Sequence, residues 1–128
     1  MKRTIFSLAL AGMACAPAIV LAAPGEMSVS TFLEKADTLQ KKGAMAVFSS
    51  DLKLLKSETR SAANFYRERI KIDKAAGRAP QSCPPQGEAS LDSKAWLAHL
   101  RSYPVSARPG TNLRTAFSDL MKKRYPCK

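Results

Sequence analysis

The sequence predicts a small all-α domain of about four helices, tied by one disulfide and preceded by a cleavable signal peptide. Three observations carry this. Apolar residues recur at steps of three and four in four separate stretches, no stretch alternates convincingly with period two, and Gly, Pro and capping residues fall between the stretches.

The leader comes first. Met1-Lys2-Arg3 is a basic start, residues 4–20 are uncharged and mostly apolar, and Val20-Leu21-Ala22 places small residues where signal peptidase reads them. The run is interrupted by Gly12 and Pro17 and falls short of the roughly 20 apolar residues of a membrane span. Cleavage is expected between Ala22 and Ala23, giving residues 1–22 as signal peptide and 23–128 as one helical domain. Cys15 invites a lipoprotein reading, but Gly12 stands where a lipobox needs Leu or a similar aliphatic, so no lipid is expected. The expected location is the periplasm or the medium.

Residues 23–28 read as a loose lead-in. Thr31 and Glu34 then form a capping box, and Phe32, Leu33, Ala36 and Leu39 make the inner stripe of a first helix. Asp37 precedes Lys41 by four residues, the favourable order for an ion pair, and Gly43 after Lys41-Lys42 is a stop. After an apolar stretch over residues 44–48, Ser49-Ser50-Asp51 offers a new N-cap. From Leu52 to Ala76 there is neither Pro nor Gly. Leu52, Leu55, Thr59, Ala62, Tyr66 and Ile70 form the stripe of this longest helix, widened by Leu54, Ala63 and Phe65, and Gly77 ends it.

Residues 78–89 hold Ala-Pro, Cys-Pro-Pro and Gly, which sustain neither helix nor central strand. A third helix starts within Ser90-Leu91-Asp92-Ser93, turns Trp96, Leu97 and Leu100 inward, and stops at Pro104. Pro109-Gly110 makes a turn. Thr111 then caps a fourth helix with Leu113, Ala116, Phe117 and Leu120 inside and Lys122, Lys123 and Arg124 at its carbonyl end. Trp96, Leu100, Leu113, Phe117 and Leu120 are expected to meet Leu55, Ala62 and Tyr66 in the core.

Charge and cysteines bound the function. The chain carries 21 Lys and Arg against 10 Asp and Glu, a net +11. Lys2 and Arg3 leave with the signal, so the mature domain is +9. An exported chain is not expected to meet nucleic acid; its basic surface suits anionic lipid, wall polymer or an acidic protein. Arg60, Arg67, Lys71 and Lys74 on the long helix form the candidate partner-binding face, although a charge run on a helix is more often its solvated side. Loss of Cys15 leaves Cys83 and Cys127, for which a disulfide is the default in an oxidising compartment; two free thiols or an intermolecular bridge are the alternatives.

Nothing in the sequence asks for an enzyme. The single His, His99, has no ligand partner at i+3 or i+4 and reads as a structural ring on the third helix, so no metal is expected. Ser93, Ser102 and Ser106 lack a nucleophile elbow, and Glu58, Glu68 and Asp73 lie among bases that pair them. No glycine loop cradles a phosphate, and no cofactor is expected.

The last third is more specific. Cys83-Pro84-Pro85, the helix through Leu100 to Pro104, then Ala116-Phe117 and Tyr125-Pro126-Cys127, resemble the C-terminal half of the Rap1a/Tai family. Members of that family are exported immunity proteins that neutralise peptidoglycan amidase toxins of type VI secretion. The resemblance implies an all-helical binding domain with a peptidoglycan amidase effector, or another envelope protein, as partner. Asn64-Phe65-Tyr66 stands where many members carry Cys and Gly; the family's partner-contacting residues match no position here, so only Cys83 and Cys127 carry over, as a structural pair. The alternative function is a basic cell-envelope protein that binds anionic lipid or wall polymer and has no toxin partner.

Overall fold

The computed structural model describes residues 22–86 and 91–128. The signal-peptide reading of residues 1–21, Cys15 included, lies outside them, as does Ser90; the third helix starts at Ser93 behind Asp92, within the expected stretch. The described residues form four α-helices: α1 (Val29–Lys42), α2 (Ser50–Ala75), α3 (Ser93–Ser102) and α4 (Leu113–Arg124). Two 3-10 segments, Gly43–Phe48 and Val105–Gly110, make the connections before α2 and α4. The described part is all-α with one disulfide, and the expected stripes form one core.

Three helices, α1, α2 and α4, start on a side-chain cap, and two of these caps differ from expectation. Ser28, not Thr31, caps α1, its Oγ accepting from the Thr31 N–H at 3.1 Å. Thr31 lies inside the helix because fully buried Val29 already belongs to it. Asn112, not Thr111, caps α4, accepting from the Thr115 N–H at 2.9 Å, while the Thr111 hydroxyl donates to the Ala107 carbonyl. Both shifts have one cause. The two helix starts lie side by side, bridged at Ser28 and Asn112, and supply each other's orphan groups. The Val29 N–H donates to the Thr111 carbonyl at 2.8 Å, and the Leu113 N–H to the Met27 carbonyl at 3.0 Å.

This pairing also overturns the loose lead-in. Gly25 is buried, its N–H donating to Glu58 Oε2 at 2.9 Å and its carbonyl accepting from the Arg114 N–H at 3.1 Å. Glu58, expected in an ion pair, instead also accepts from the Met27 N–H at 3.3 Å. Arg114 holds the same segment through Glu26 Oε1 (2.7 Å) and the Pro24 carbonyl (2.9 Å). Residues 25–28 therefore run as a strap against α2 and α4.

α2 begins at a Ser49 cap and runs 26 residues. It ends in a Schellman turn: Gly77, at φ 69°, donates to the Lys74 carbonyl and Arg78 to the Asp73 carbonyl. The core joins Phe32, Leu33, Ala36 and Leu39 of α1 to Leu55, Ala62, Tyr66 and Ile70 of α2, Trp96 and Leu100 of α3, and Leu113, Phe117 and Leu120 of α4. Trp96 sits among the rings of Phe32, His99 and Phe117. Leu54 and Phe65, expected to widen the inner stripe, are exposed instead, with Phe65 outside the core under the Arg114 guanidinium of α4 at 4.3 Å. Asp37 pairs with Arg101 at 2.6 Å rather than with Lys41, an interhelix contact that local spacing does not reveal.

Candidate functional site

α2 presents the basic face. Arg60, Arg67, Lys71 and Lys74 are all exposed. At 3.6 residues per turn they fall within about 60° of each other around the helix and span about 21 Å along it. Lys71 has Glu68 at 3.7 Å and Arg67 donates to Asn64 Oδ1 at 3.2 Å; Arg60 and Lys74 form no ion pair with a described residue. The helix's other carboxylates are occupied away from this stripe. Glu58 holds the strap, and buried Asp73 takes the Arg78 guanidinium on Oδ1 at 2.9 and 3.1 Å. The stripe thus keeps most of its charge, on the part of α2 that the strap, Ser82 and Arg78 fasten.

The disulfide joins Cys83 and Cys127, 44 positions apart. The backbone zips beside it, the Cys83 N–H donating to the Tyr125 carbonyl at 2.8 Å. The adjacent Ser82 is fully buried and hydrogen-bonds the Tyr66 hydroxyl of α2. The Pro-rich loop is therefore fastened to α2 and to the end of α4 together. Ala22 and Ala23, the expected cleavage residues, are exposed, and the Ala23 N–H donates to Glu26 Oε2 at 3.1 Å.

One polar cluster was not legible in the sequence. His99 of α3 is buried against α4, its Nε2 2.8 Å from the Ala116 carbonyl and its ring edge-on to Tyr103 at 5.3 Å. Burial holds its pKa below the ordinary value, against a smaller opposing effect of the Ala116 carbonyl. The Tyr103 hydroxyl donates to Asp119 Oδ2 at 2.6 Å, and burial followed by that bond drives the phenol pKa up. With Ser102, Pro104, Lys122 and Lys123 these residues line a shallow open depression. A neutral imidazole and a firmly protonated phenol would be a start for acid–base chemistry. Each is nonetheless used to join helices, and the neighbouring Ser102 hydroxyl donates to the His99 carbonyl at 2.6 Å instead of to a base. Among the described residues no group of three or more His, Cys, Asp or Glu side chains could hold a metal, and no helix is long and apolar enough to cross a membrane.

No protein-family model matches the chain, and no match was found among curated proteins or solved structures.

Proposed function

We propose that the mature chain is an exported, non-catalytic protein-binding domain of the kind that masks a toxic enzyme, with Arg60, Arg67, Lys71 and Lys74 meeting an acidic surface of the partner. The observation that carries this reading is the cationic stripe on α2, left largely unneutralised while Glu58 and Asp73 face other tasks. A bundle fixed by a disulfide and by the residue 25–28 strap loses little freedom on binding, which favours affinity without catalysis. The resemblance to the Rap1a/Tai family makes a type VI peptidoglycan amidase effector the partner to test. The periplasm is where both would meet.

The purified protein should bind such an amidase and suppress its hydrolysis of peptidoglycan. Reversing Arg67→Glu and Lys74→Glu together should slow association about tenfold or more at low salt, with the effect fading as salt rises. Melting should stay within about 0.5 kcal/mol of the parent, as is typical of exposed positions. Failure to bind any amidase, with salt-dependent binding to wall polymer instead, would replace this reading with the envelope-protein one. A charge-reversed protein that associates as fast as the parent would leave the stripe merely solvated.

A further inference from the structure

We propose that the turn between α1 and α2, Gly43–Phe48, is a docking tip that seats Met45, Val47 and Phe48 in the interface of an anionic phospholipid bilayer. Six consecutive residues, Gly-Ala-Met-Ala-Val-Phe, carry no charged or polar side chain. Met45, Val47 and Phe48 are 65%, 63% and 80% exposed, whereas Ala46 alone packs against the core. Exposed large apolar residues elsewhere on the described surface are dispersed, but here three fall within four positions. Such clustering on an otherwise basic surface marks an interaction site. The segment is also ordered in itself: it is a 3-10 helix closed by the Ser49 N–H on the Ala46 carbonyl at 3.0 Å, and it packs chiefly on α1 and α2. It is thus a convex end of the helical hairpin.

The charge around the tip identifies the occupant. Lys41 and Lys42 end α1, and Lys53 and Lys56 lie in the first turns of α2. All four are exposed, and none pairs with a described residue. Asp51 is the only carboxylate in residues 38–57, and Lys35 neutralises it at 2.8 Å. An apolar point flanked by exposed lysines on both adjoining helix ends matches a bilayer whose headgroups are negative and whose acyl boundary lies about 5–10 Å deeper. Lysine stems reach along the apolar part while their ammonium groups stay among the phosphates. A second copy of the chain fits worse, because it would set four lysines against four. An apolar protein pocket would take Phe48 but leave the flanking lysines unused.

The test is partition of the protein onto vesicles of phosphatidylcholine alone and of equimolar phosphatidylcholine and phosphatidylglycerol. Binding is expected only to the anionic vesicles and should weaken with salt. Each cation near the surface strengthens partition about fivefold, so Lys53→Gln with Lys56→Gln should weaken it about 25-fold. Val47→Ser with Phe48→Ser should weaken it at least tenfold at unchanged salt dependence. Arg67→Gln with Lys74→Gln should leave it unchanged, since these residues lie about 20 Å or more along α2 from the tip, beyond the roughly 8 Å screening length. That variant separates this proposal from the protein-binding stripe. Phe48→Trp reports insertion without removing the apolar group; its emission should move to shorter wavelength on anionic vesicles. Equal binding to both vesicle types, a Phe48→Trp signal that does not move, or apolar-to-serine variants that bind like the parent would each overturn the proposal. Self-association abolished by Phe48→Ser would overturn it in favour of a second copy.

Discussion

Gly25→Ala is the sharpest perturbation of the fold, because two independent costs meet at one methyl group. The residue sits at φ 84°, where an L side chain is strained by about 1–2 kcal/mol. A Cβ there would also lie 2.9 Å from the Ala62 nitrogen and 3.2 Å from its Cα, both backbone atoms in the middle of α2 that cannot rotate away. The strap must lift instead. Lifting breaks the Gly25 N–H bond to Glu58 and the Arg114 N–H bond to the Gly25 carbonyl. A neutral hydrogen bond contributes about 0.5–1.5 kcal/mol and one to a charged group about 1.5–3. The expected loss for Gly25→Ala is therefore about 3–6 kcal/mol. Gly77→Ala is the internal control: its φ is 69°, but nothing lies within 4 Å of the added Cβ, so only the conformational cost of about 1–2 kcal/mol applies. Urea unfolding of both variants, followed by helix circular dichroism, reads the difference, and faster amide exchange at Arg114 would locate it. If the two substitutions cost the same within about 0.5 kcal/mol, the strap does not bear on α2 and the argument fails.

Two further outcomes are expected. Cys83→Ser or Cys127→Ser releases a loop of 44 positions and should lower stability by about 4 kcal/mol in the chain-entropy account; thiol titration of the unreduced, denatured protein should find neither Cys83 nor Cys127 reactive. His99 holds a folded pKa below its ordinary 6.5, so the unfolded chain takes a proton that the folded chain refuses. Its contribution is present above pH 6.5 and lost as pH falls toward the lower folded value, at no more than about 1.4 kcal/mol per pH unit. His99→Gln should flatten that slope between neutrality and pH 5. Asp51, lowered from 3.8 by Lys35, acts only at more acid pH and leaves this window clear.

The helices were legible because burial obeys helical spacing. Phe32, Leu33, Ala36 and Leu39 fall inside, as do Leu113, Ala116, Phe117 and Leu120, and Gly43 and Gly77 adopt the positive φ that ends α1 and α2. What escaped was settled by partners distant in sequence. Ser28 and Asn112 displace Thr31 and Thr111 as caps because the two helix starts pair across more than 80 residues, a register that no local pattern encodes. Glu58 looked like one more carboxylate among bases, yet it receives two backbone N–H groups from the strap. Phe65 fits the inner stripe by spacing but lies outside it, under the Arg114 guanidinium at 4.3 Å. The basic stripe on α2 was legible from composition. The tip was not, since an apolar run over residues 44–48 does not by itself tell that the turn leaves Phe48 outside.

The anchoring is unevenly distributed along α2, and that asymmetry bears on both proposed surfaces. From Glu58 onward the helix is fastened repeatedly: by the strap at Glu58, by Ser82 at Tyr66, by the Schellman turn and Arg78 at Asp73, and by the disulfide that joins the following loop to α4. Its first two turns are held by the Ser49 cap, the Lys35–Asp51 pair and Leu55. The cationic stripe lies mainly on the fastened part, where a fixed spacing of charges favours one partner geometry over others. The apolar tip lies at the lightly held end, where small local opening costs least and side chains can adjust to a fluid, unpatterned surface such as a bilayer. A rigid charged face and a compliant apolar point suit different kinds of partner, and the two can be occupied together because the tip sits at one end of α2 while the stripe runs toward the other.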